Sequence, residues 1–207
     1  MITPQEFWNM RSEHYDEGSG EQYAQAYART VELTLKYLKP GDRVLEFACG
    51  TGLTTVQIAP HVAAVRAIDI SDGMVEKAQA RLAGLSNVEL SQTDLFDPCL
   101  EEGSFDAVTA FNVLLYVEDR PRVLARIRAL LKPEGMFLSA GDCLGEGITK
   151  VGIKKFWKSH TGSMPYVAFD TKKKLEEDIA AAGFTVLERE NLYPAPPNLF
   201  VAARRED

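Results

Sequence analysis

The stretch Val44-Leu45-Glu46-Phe47-Ala48-Cys49-Gly50-Thr51-Gly52-Leu53-Thr54-Thr55 decides the fold. Its first residues form an apolar run that is typical of a buried strand, and the residues after Gly52 begin a helical pattern. A chain that turns sharply from a strand into a helix needs glycine, because glycine enters left-handed backbone conformations at little cost. The new helix presents unpaired N–H groups toward whatever lies above the loop. The stretch therefore predicts a nucleotide-type binding loop.

Two kinds of ligand are compatible with this loop. The spacing Gly50-x-Gly52-x-x-Thr55 matches half of the dinucleotide fingerprint. Glu46 lies four residues before Gly50, and we expect it at the lip of the loop. A carboxylate there would repel a pyrophosphate and attract a cation. S-adenosylmethionine carries a sulfonium and an ammonium and no phosphate, so the acid favours it over a dinucleotide.

The pattern Glu46-x-Ala48-x-Gly50-x-Gly52 resembles the first motif of the class I S-adenosylmethionine-dependent methyltransferases. The first glycine of that family is Ala48 here, so we expect the backbone at this residue to avoid positive φ. The resemblance continues in order to about Arg204. It implies an enzyme that transfers a methyl group from S-adenosyl-L-methionine and releases S-adenosyl-L-homocysteine.

Length and periodicity predict one α/β domain over residues 1–207. Apolar runs of strand length alternate with helical patterns, as in a Rossmann-like doubly wound sheet with helices on both faces. The expected sheet has seven strands and is mostly parallel. The strands at 184–190 and 198–204 are joined by a segment too short for a crossover, so one strand near the C-terminal edge is antiparallel.

The carboxyl ends of the predicted strands supply the candidate cofactor residues. Asp69 ends the second strand, where a carboxylate can accept the ribose hydroxyls, although a ribose does not distinguish S-adenosylmethionine from NAD. The family uses an aspartate like Asp94 for the adenine amino group, and this residue is otherwise a turn former. Met74 is an adenine contact or a core residue. The full set of expected cofactor residues is Tyr15, Glu46, Ala48, Cys49, Gly50, Gly52, Asp69, Ile70, Met74, Thr93, Asp94, Leu95, Phe111, Asn112 and Val113.

The expected reaction is an in-line displacement at the sulfonium methyl group, in which the protein mainly aligns the reactants and excludes water. The sequence offers no triad and no metal cluster, and we predict no metal. A hydroxyl or amine acceptor can require a general base. The candidates are His14, Tyr15, Asp142 and His160, and the sequence does not rank them. A lone histidine beside aromatic residues is more often packed or solvated.

Two segments are expected to cover the site. The resemblance implies that residues 1–20 form an N-terminal lid helix, with Tyr15-Asp16 over the cofactor; the alternative is a helix that covers core. Phe7, Met10/Arg11 and His14 share one face at helical spacing. Residues 144–169 form the second segment, a lid or substrate-selecting insertion rich in glycine and aromatic residues.

The second segment carries a lysine stripe and large aromatic side chains. Lys150, Lys154 and Lys158 recur at four-residue steps. They form either a solvated helix face or a basic mouth that favours an anionic or aromatic acid substrate. We expect Trp157 and Tyr166 to be apolar walls of the acceptor pocket, with a core position as the alternative for Trp157.

The composition limits the partners. A net charge of −7 argues against non-specific nucleic-acid binding, so a small-molecule acceptor is expected. A protein or RNA methyltransferase that docks its substrate on the basic region 150–174 is the alternative, and an NAD-linked oxidoreductase and a non-catalytic binding module are further rivals. The three cysteines lack metal-site spacing, and residues 1–6 lack the pattern of a signal peptide. The expectation is a cytoplasmic monomer or homodimer without a membrane span.

Overall fold

The computed structural model describes residues 2–18 and 20–207, without the side chains of residues 18 and 20–22. Met1 and Ser19, which belong to the predicted lid helix 1–20, lie outside the described residues. The helices are α1 Pro4–Ser12, α2 Tyr15–Gly18, α3 Gly20–Leu35, α4 Thr55–Ile58, α5 Asp72–Leu82, α6 Arg120–Leu130, α7 Lys150–His160 and α8 Lys172–Ala181. The strands are β1 Arg43–Phe47, β2 Ala64–Asp69, β3 Val88–Gln92, β4 Phe105–Phe111, β5 Leu131–Asp142, β6 Phe184–Pro194 and β7 Pro197–Arg205. Two short 3₁₀ turns lie after α4, at Ala59–His61, and after β4, at Leu114–Tyr116.

Within the described ranges, the strands form one seven-stranded sheet in the order β3-β2-β1-β4-β5-β7-β6. Strands β1 to β5 are parallel to one another. Strand β7 runs antiparallel to both β5 and β6. The predicted mostly parallel sheet with one reversed strand near its C-terminal edge is therefore confirmed. In such a sheet the carboxyl ends of β1, β2 and β4 meet at one edge, which is where ligands bind in doubly wound folds.

Helices cover both faces of the sheet, as predicted. Successive strand residues point to opposite faces, so Leu45 packs with the apolar residues of α6 and α8 on one side. Its neighbour Val44 packs on the other side with Leu33 of α3 and Ile58 of α4. The central strands are buried on both faces, which explains why they read as continuous apolar runs in the sequence.

The N-terminal segment begins with a helix cap and ends its first helix earlier than the predicted lid helix. Thr3 and Glu6 form a reciprocal capping box at the start of α1. The helix ends at Ser12, and a turn rotates the chain before α2 begins. Phe7 is buried, whereas Met10 and His14 are exposed. The single face expected for these three residues is wrong, because the break after Ser12 separates His14 from α1.

A buried arginine joins the two halves of the C-terminal region. Arg120, at the start of α6, donates from Nη1 to the Asp178 carboxylate of α8 at 2.8 Å. Its Nη2 donates to Asp170, in the segment between α7 and α8. The arginine side chain is buried, and the two carboxylates are partly buried. One guanidinium therefore ties α6 to α8 and to the chain that leaves α7.

We expect Arg120→Ala to lower the free energy of unfolding by about 2–4 kcal/mol, because it leaves the partly buried Asp170 carboxylate without its cation and leaves Asp178 with Lys174 alone. Lys173→Ala is the matched control, since its pair with Glu177 is exposed to solvent. The control should cost less than about 1 kcal/mol. Urea unfolding of both variants measures the difference. Equal losses in the two variants would contradict an anchoring role for Arg120.

Candidate active site

The loop after β1 adopts left-handed backbone conformations at three positions. Gly50 and Gly52 have φ of 56° and 79°, as expected for glycine. Ala48 has φ of 59°, so the expectation that it avoids positive φ is wrong. An L-residue in this region costs roughly 1–2 kcal/mol. The cost is offset because the next amide, Cys49 N–H, donates to the Ile68 carbonyl of β2 at 3.0 Å and holds the turn.

Asp69 fixes the loop from the end of β2. Its Oδ2 accepts from the Gly50 amide at 2.9 Å, and its Oδ1 accepts from the Ser71 amide at 2.9 Å. Ser71 in turn caps α5, because its hydroxyl accepts from the Met74 amide at 3.1 Å. Burial raises the pKa of Asp69, and the two amide hydrogen bonds oppose that rise. One carboxylate thus joins the loop, the end of β2 and the start of α5.

Glu46 lies beneath the loop rather than at its lip. It is 2% exposed and accepts a hydrogen bond from the Thr54 hydroxyl, which belongs to the turn before α4. Burial raises the pKa of Glu46 to about 7, and the hydrogen bond from Thr54 partly offsets this effect. The expected position of Glu46 at the lip of the loop is therefore wrong. The acid is enclosed below the loop, where it joins β1 to the turn before α4.

A cavity of about 380 Å³, here called the loop cavity, opens at the carboxyl ends of β1, β2, β3 and β4. It brings together most of the expected cofactor residues. Those that line it are Tyr15, Ala48, Gly50, Asp69, Ile70, Met74, Thr93, Asp94, Leu95, Phe111, Asn112 and Val113. Cys49 lines a small recess next to it, with Tyr27 and Thr51. Gly52 faces α5 instead, and a Cβ at this position would lie 3.3 Å from Leu82.

The N-terminal helices close one side of the loop cavity. Trp8 of α1 and Tyr15 of α2 line it, and their rings meet edge to face with centroids 6.2 Å apart. Asp16 joins α2 to the loop, because its carboxylate accepts from the Thr51 hydroxyl and from Arg81 of α5, both at 2.7 Å. Desolvation raises the pKa of Tyr15 well above its ordinary value. Burial therefore favours the neutral, protonated form of Tyr15.

A second cavity, here called the lysine cavity, has a volume of about 330 Å³. It shares Trp8, Tyr15, Asn112 and Tyr116 with the loop cavity, so the two are contiguous. The remaining residues that line it are Phe7, Arg11, Tyr23, Tyr27, Leu115, Asp142, Val151, Lys154, Lys155, Lys158 and Met164. Four cations and one carboxylate thus face this space.

The carboxylate of the lysine cavity is held by two partners. Asp142, at the end of β5, accepts from Asn198 Nδ2 at 2.9 Å and lies 3.2 Å from Lys155 Nζ. The same ammonium group lies 5.4 Å from the ring centroid of Tyr116. The pKa of Lys155 is raised: burial opposes the rise, and Tyr116 and Asp142 outweigh it. Asn198 also donates to Asn112 Oδ1 at 3.1 Å, which connects β7 to the junction of the two cavities.

Helix α7 turns Lys154 and Lys158 of the lysine stripe toward the lysine cavity, as in the basic-mouth alternative, whereas the expected wall position of Trp157 is wrong. Its inward face carries Lys155 and part of the lysine stripe, whereas Trp157 is 63% exposed on the outer side. Trp157 is therefore neither a wall of the lysine cavity nor a core residue. Tyr166 is exposed as well and lines neither cavity. His160 is exposed and stacks on Phe156, with ring centroids 3.9 Å apart.

His14 also lies outside both cavities, because its side chain is 75% exposed and pairs with Glu17 at 3.1 Å. The expected site residues did not include Trp8, Arg11 and Tyr116, which line the cavities. A signal for two of them was present: Pro4, Trp8 and Arg11 recur at steps of four and three residues along α1. Tyr116 follows β4 within a 3₁₀ turn and has no periodic signal.

The described residues contain no group of three or more histidine, cysteine or acidic side chains placed to hold a metal ion. Across the same residues, no helix is both long enough and apolar enough to span a bilayer.

Comparisons with known proteins agree with the geometry. A family model described as a methyltransferase domain matches residues 45–137. A demethylmenaquinone methyltransferase of Clavibacter sepedonicus is 31% identical over 170 residues, which are 73% of this chain and 69% of that protein. Nocamycin O-methyltransferase of Saccharothrix syringae is 36% identical over 126 residues, with 58% of this chain and 44% of that protein covered.

A solved structure gives the same fold over the whole chain. Phosphoethanolamine N-methyltransferase 2 of Haemonchus contortus, in complex with S-adenosyl-L-methionine, superposes with a TM-score of 0.80 at 18% identity. The match covers 100% of this chain and 61% of that one. The chain belongs to the class I S-adenosylmethionine-dependent methyltransferases and uses S-adenosylmethionine as its methyl donor.

The buried acid predicts how stability depends on pH. The pKa of Glu46 is about 7 in the folded protein and 4.5 ordinarily, so the folded state holds this proton more tightly than the unfolded state. The resulting stabilisation is fully present below about pH 4.5 and is lost as the pH rises through about 7. The shift of the pKa from 4.5 to about 7 corresponds to a loss of roughly 3 kcal/mol in the free energy of unfolding over this pH range.

We therefore expect Glu46→Gln, which stays neutral, to gain stability relative to the native protein by up to roughly 3 kcal/mol as the pH rises from about 4.5 to about 8. Urea unfolding at several pH values measures this difference. Glu76→Gln, at an exposed position on α5, is the control. Its free energy of unfolding should differ from that of the native protein by the same amount at every pH. If the difference for Glu46→Gln were also the same at every pH, the pKa of Glu46 would not be raised in the folded protein.

Proposed function

We propose that this enzyme methylates a small acidic acceptor in the lysine cavity, with S-adenosylmethionine held in the loop cavity. The cofactor supplies a methyl group that the positive charge on its sulfur has already activated. The observation that carries the proposal is the wall shared by the two cavities, formed by Trp8, Tyr15, Asn112 and Tyr116. Because the two cavities adjoin at these residues, ligands bound in them would lie next to each other, and such positioning lowers the barrier of a bimolecular reaction.

The loop cavity has the size and the hydrogen-bond acceptors that the cofactor requires. Its volume of about 380 Å³ lies within the range of small-molecule sites. Asp69 is the candidate acceptor for the ribose hydroxyls, and Asp94, at the end of the next strand, is the candidate acceptor for the adenine amine. Ile70 and Met74 would pack against the base. At Gly50 a Cβ would meet no atom within 4 Å, so the loop backbone is open to a ligand.

The charge of the lysine cavity supports an acidic acceptor. Arg11, Lys154, Lys155 and Lys158 face Asp142, and the lysine nearest to it already forms an ion pair with it. The remaining cations create a positive potential that attracts a carboxylate or a phosphate. Helices α1 and α7 enclose this space, and their enclosure favours a small acceptor over a docked protein or RNA. We propose these two segments, residues 2–18 and 144–169, as the covers of the site in a single domain.

Where the methyl acceptor loses a proton in the reaction, a residue that lines the lysine cavity receives it. Asp142 is the remaining candidate base among the four considered. Its hydrogen bonds with Asn198 and Lys155 orient the carboxylate toward the cavity. Tyr15 is a hydrogen-bond donor in this scheme, because its raised pKa keeps the phenol neutral. His14 and His160 have no part in the proposal.

Asp69→Asn should weaken the binding of S-adenosylmethionine and S-adenosylhomocysteine by similar factors, because both molecules carry the same ribose. The loss of a charged hydrogen-bond acceptor costs about 1.5–3 kcal/mol, or roughly 10- to 150-fold in affinity. Isothermal titration calorimetry measures both constants, and a melting curve checks that the loop has kept its fold. Asp72→Asn, an exposed acid on α5 outside the loop cavity, is the control. Unchanged affinity in Asp69→Asn would remove Asp69 from the cofactor site.

Lys158→Glu should raise the KM for an acidic acceptor by about tenfold or more, because it replaces one charge-assisted contact with a repulsion. The affinity for the cofactor should stay within about twofold. The acceptor is found by measuring S-adenosylhomocysteine release over a panel of small carboxylic acids and phosphates, each with its neutral ester or amide. Lys173→Glu is the control, since this lysine lies on α8 outside the cavity. Neutral analogues that are methylated as well as the acids would contradict the proposed acceptor class.

A further inference from the structure

The outer side of α7 exposes a cluster of large apolar side chains, here called the outer face. Ile148, in the loop before α7, is 92% exposed, and Trp157 is 63% exposed. The remaining members are Ile153, Phe156 and Phe169. Between them lies a shallow cleft of about 220 Å³ whose walls are almost entirely apolar. Contiguous apolar side chains of this kind on a water-facing surface mark an interaction site.

The orientation of α7 is fixed, so the outer face cannot turn inward. Lys155 forms the ion pair with Asp142 on the inner side, and Val151 lines the lysine cavity there. Thr149 caps the first turn, with its hydroxyl accepting from the Gly152 amide at 3.0 Å. A rotation that buried Trp157 would break the ion pair and expose the inner residues. In this orientation the apolar side chains are available for contact with an external partner.

The charge of the segment that carries the outer face indicates the chemistry of that partner. Residues 144–174 contain seven lysines and two acids, a balance of +5. Lys154, Lys155 and Lys158 line the lysine cavity on the inner side, whereas Lys150 and the three lysines at 172–174 lie outside it. Since the whole chain has a net charge of −7, the remainder carries −12. An anionic surface would repel most of the molecule and attract this region alone. A second copy of the chain would bring another net charge of −7, which opposes close approach except between particular patches.

We propose that the outer face binds the surface of an anionic lipid bilayer. Ile148 and Trp157 enter the boundary between headgroups and acyl chains, and Lys150 contacts the phosphates. A helix with aromatic and aliphatic side chains on one side and lysines beside them is suited to this position. The attraction from each lysine near an anionic membrane adds to the apolar contribution. The proposal depends on neither the acceptor nor the cofactor residues, so it stands or falls separately from the proposed function.

The test is co-sedimentation of the full-length protein with vesicles. One set contains phosphatidylcholine with phosphatidylglycerol, and the other contains phosphatidylcholine alone. We expect binding to the anionic vesicles that weakens as salt is added, because salt screens the lysines. The double variant Ile148→Ser/Trp157→Ser should lose about tenfold or more in binding. Lys150→Glu should lose roughly fivefold for each unit of charge removed.

The control for the apolar substitutions is Leu187→Ser. Leu187 lies on β6 and is 47% exposed, outside the outer face. This variant should bind as the native protein does. All substituted side chains are exposed, so melting curves should show folded proteins. Binding that survives in the double variant, equal binding to neutral vesicles, or no binding to anionic vesicles at low salt would each overturn the proposal.

A fluorescence measurement locates the contact and tests the main rival. The chain has two tryptophans, so Trp8→Phe leaves Trp157 as the only one. Its emission should shift to shorter wavelength on addition of anionic vesicles and should be quenched by brominated lipids. No shift would overturn the proposal. Light scattering after size exclusion tests for a dimer; a dimer that the double variant abolishes, without vesicle binding by the native protein, would assign the outer face to a second copy.

Discussion

The two hydrogen bonds that Asp69 accepts are the constraint on which the site depends. They hold the Gly50 amide and the Ser71 amide at fixed positions, so the loop after β1 and the start of α5 are set by one side chain. The strained left-handed turn at Ala48 persists because these contacts and the bond from Cys49 to β2 determine it together. Burial of the Asp69 carboxylate is unfavourable, and its hydrogen bonds with the Gly50 and Ser71 amides offset part of that cost. The same residue lines the loop cavity, so the binding site and the support of the loop are inseparable.

The orientation of α7 is the second determinant of function. An amphipathic helix on a globular protein ordinarily turns its apolar side to the core. Here an ion pair between Lys155 and Asp142 holds a polar side of the helix against the cavity. Lysines therefore line the lysine cavity, and aromatic side chains face outward. The charge of the acceptor cavity and the exposed outer face are two consequences of one helix rotation.

Much of the fold could be predicted from the sequence. Apolar runs, helix caps and glycine turns are local signals, and they placed the strands and the reversed β7 correctly. Asp69 and Asp94 were expected near the loop because the carboxyl ends of adjacent parallel strands must meet, and Met74 was expected there from the family resemblance; all three line the loop cavity. Trp8 and Tyr116 were missed, since their contribution depends on how α1 and a 3₁₀ turn pack over the sheet edge.

The sequence by itself determined the order of the elements, the loop chemistry and the family resemblance, because these depend on backbone preferences and on spacing along the chain. Only the tertiary structure decided the burial of Glu46, the left-handed turn at Ala48 and the side of α7 that faces the cavity. Periodicity defines which residues share a face of a helix but not which neighbour that face meets. The protonation of a carboxylate likewise depends on the groups that exclude water from it, and residues from distant parts of the chain supply those groups.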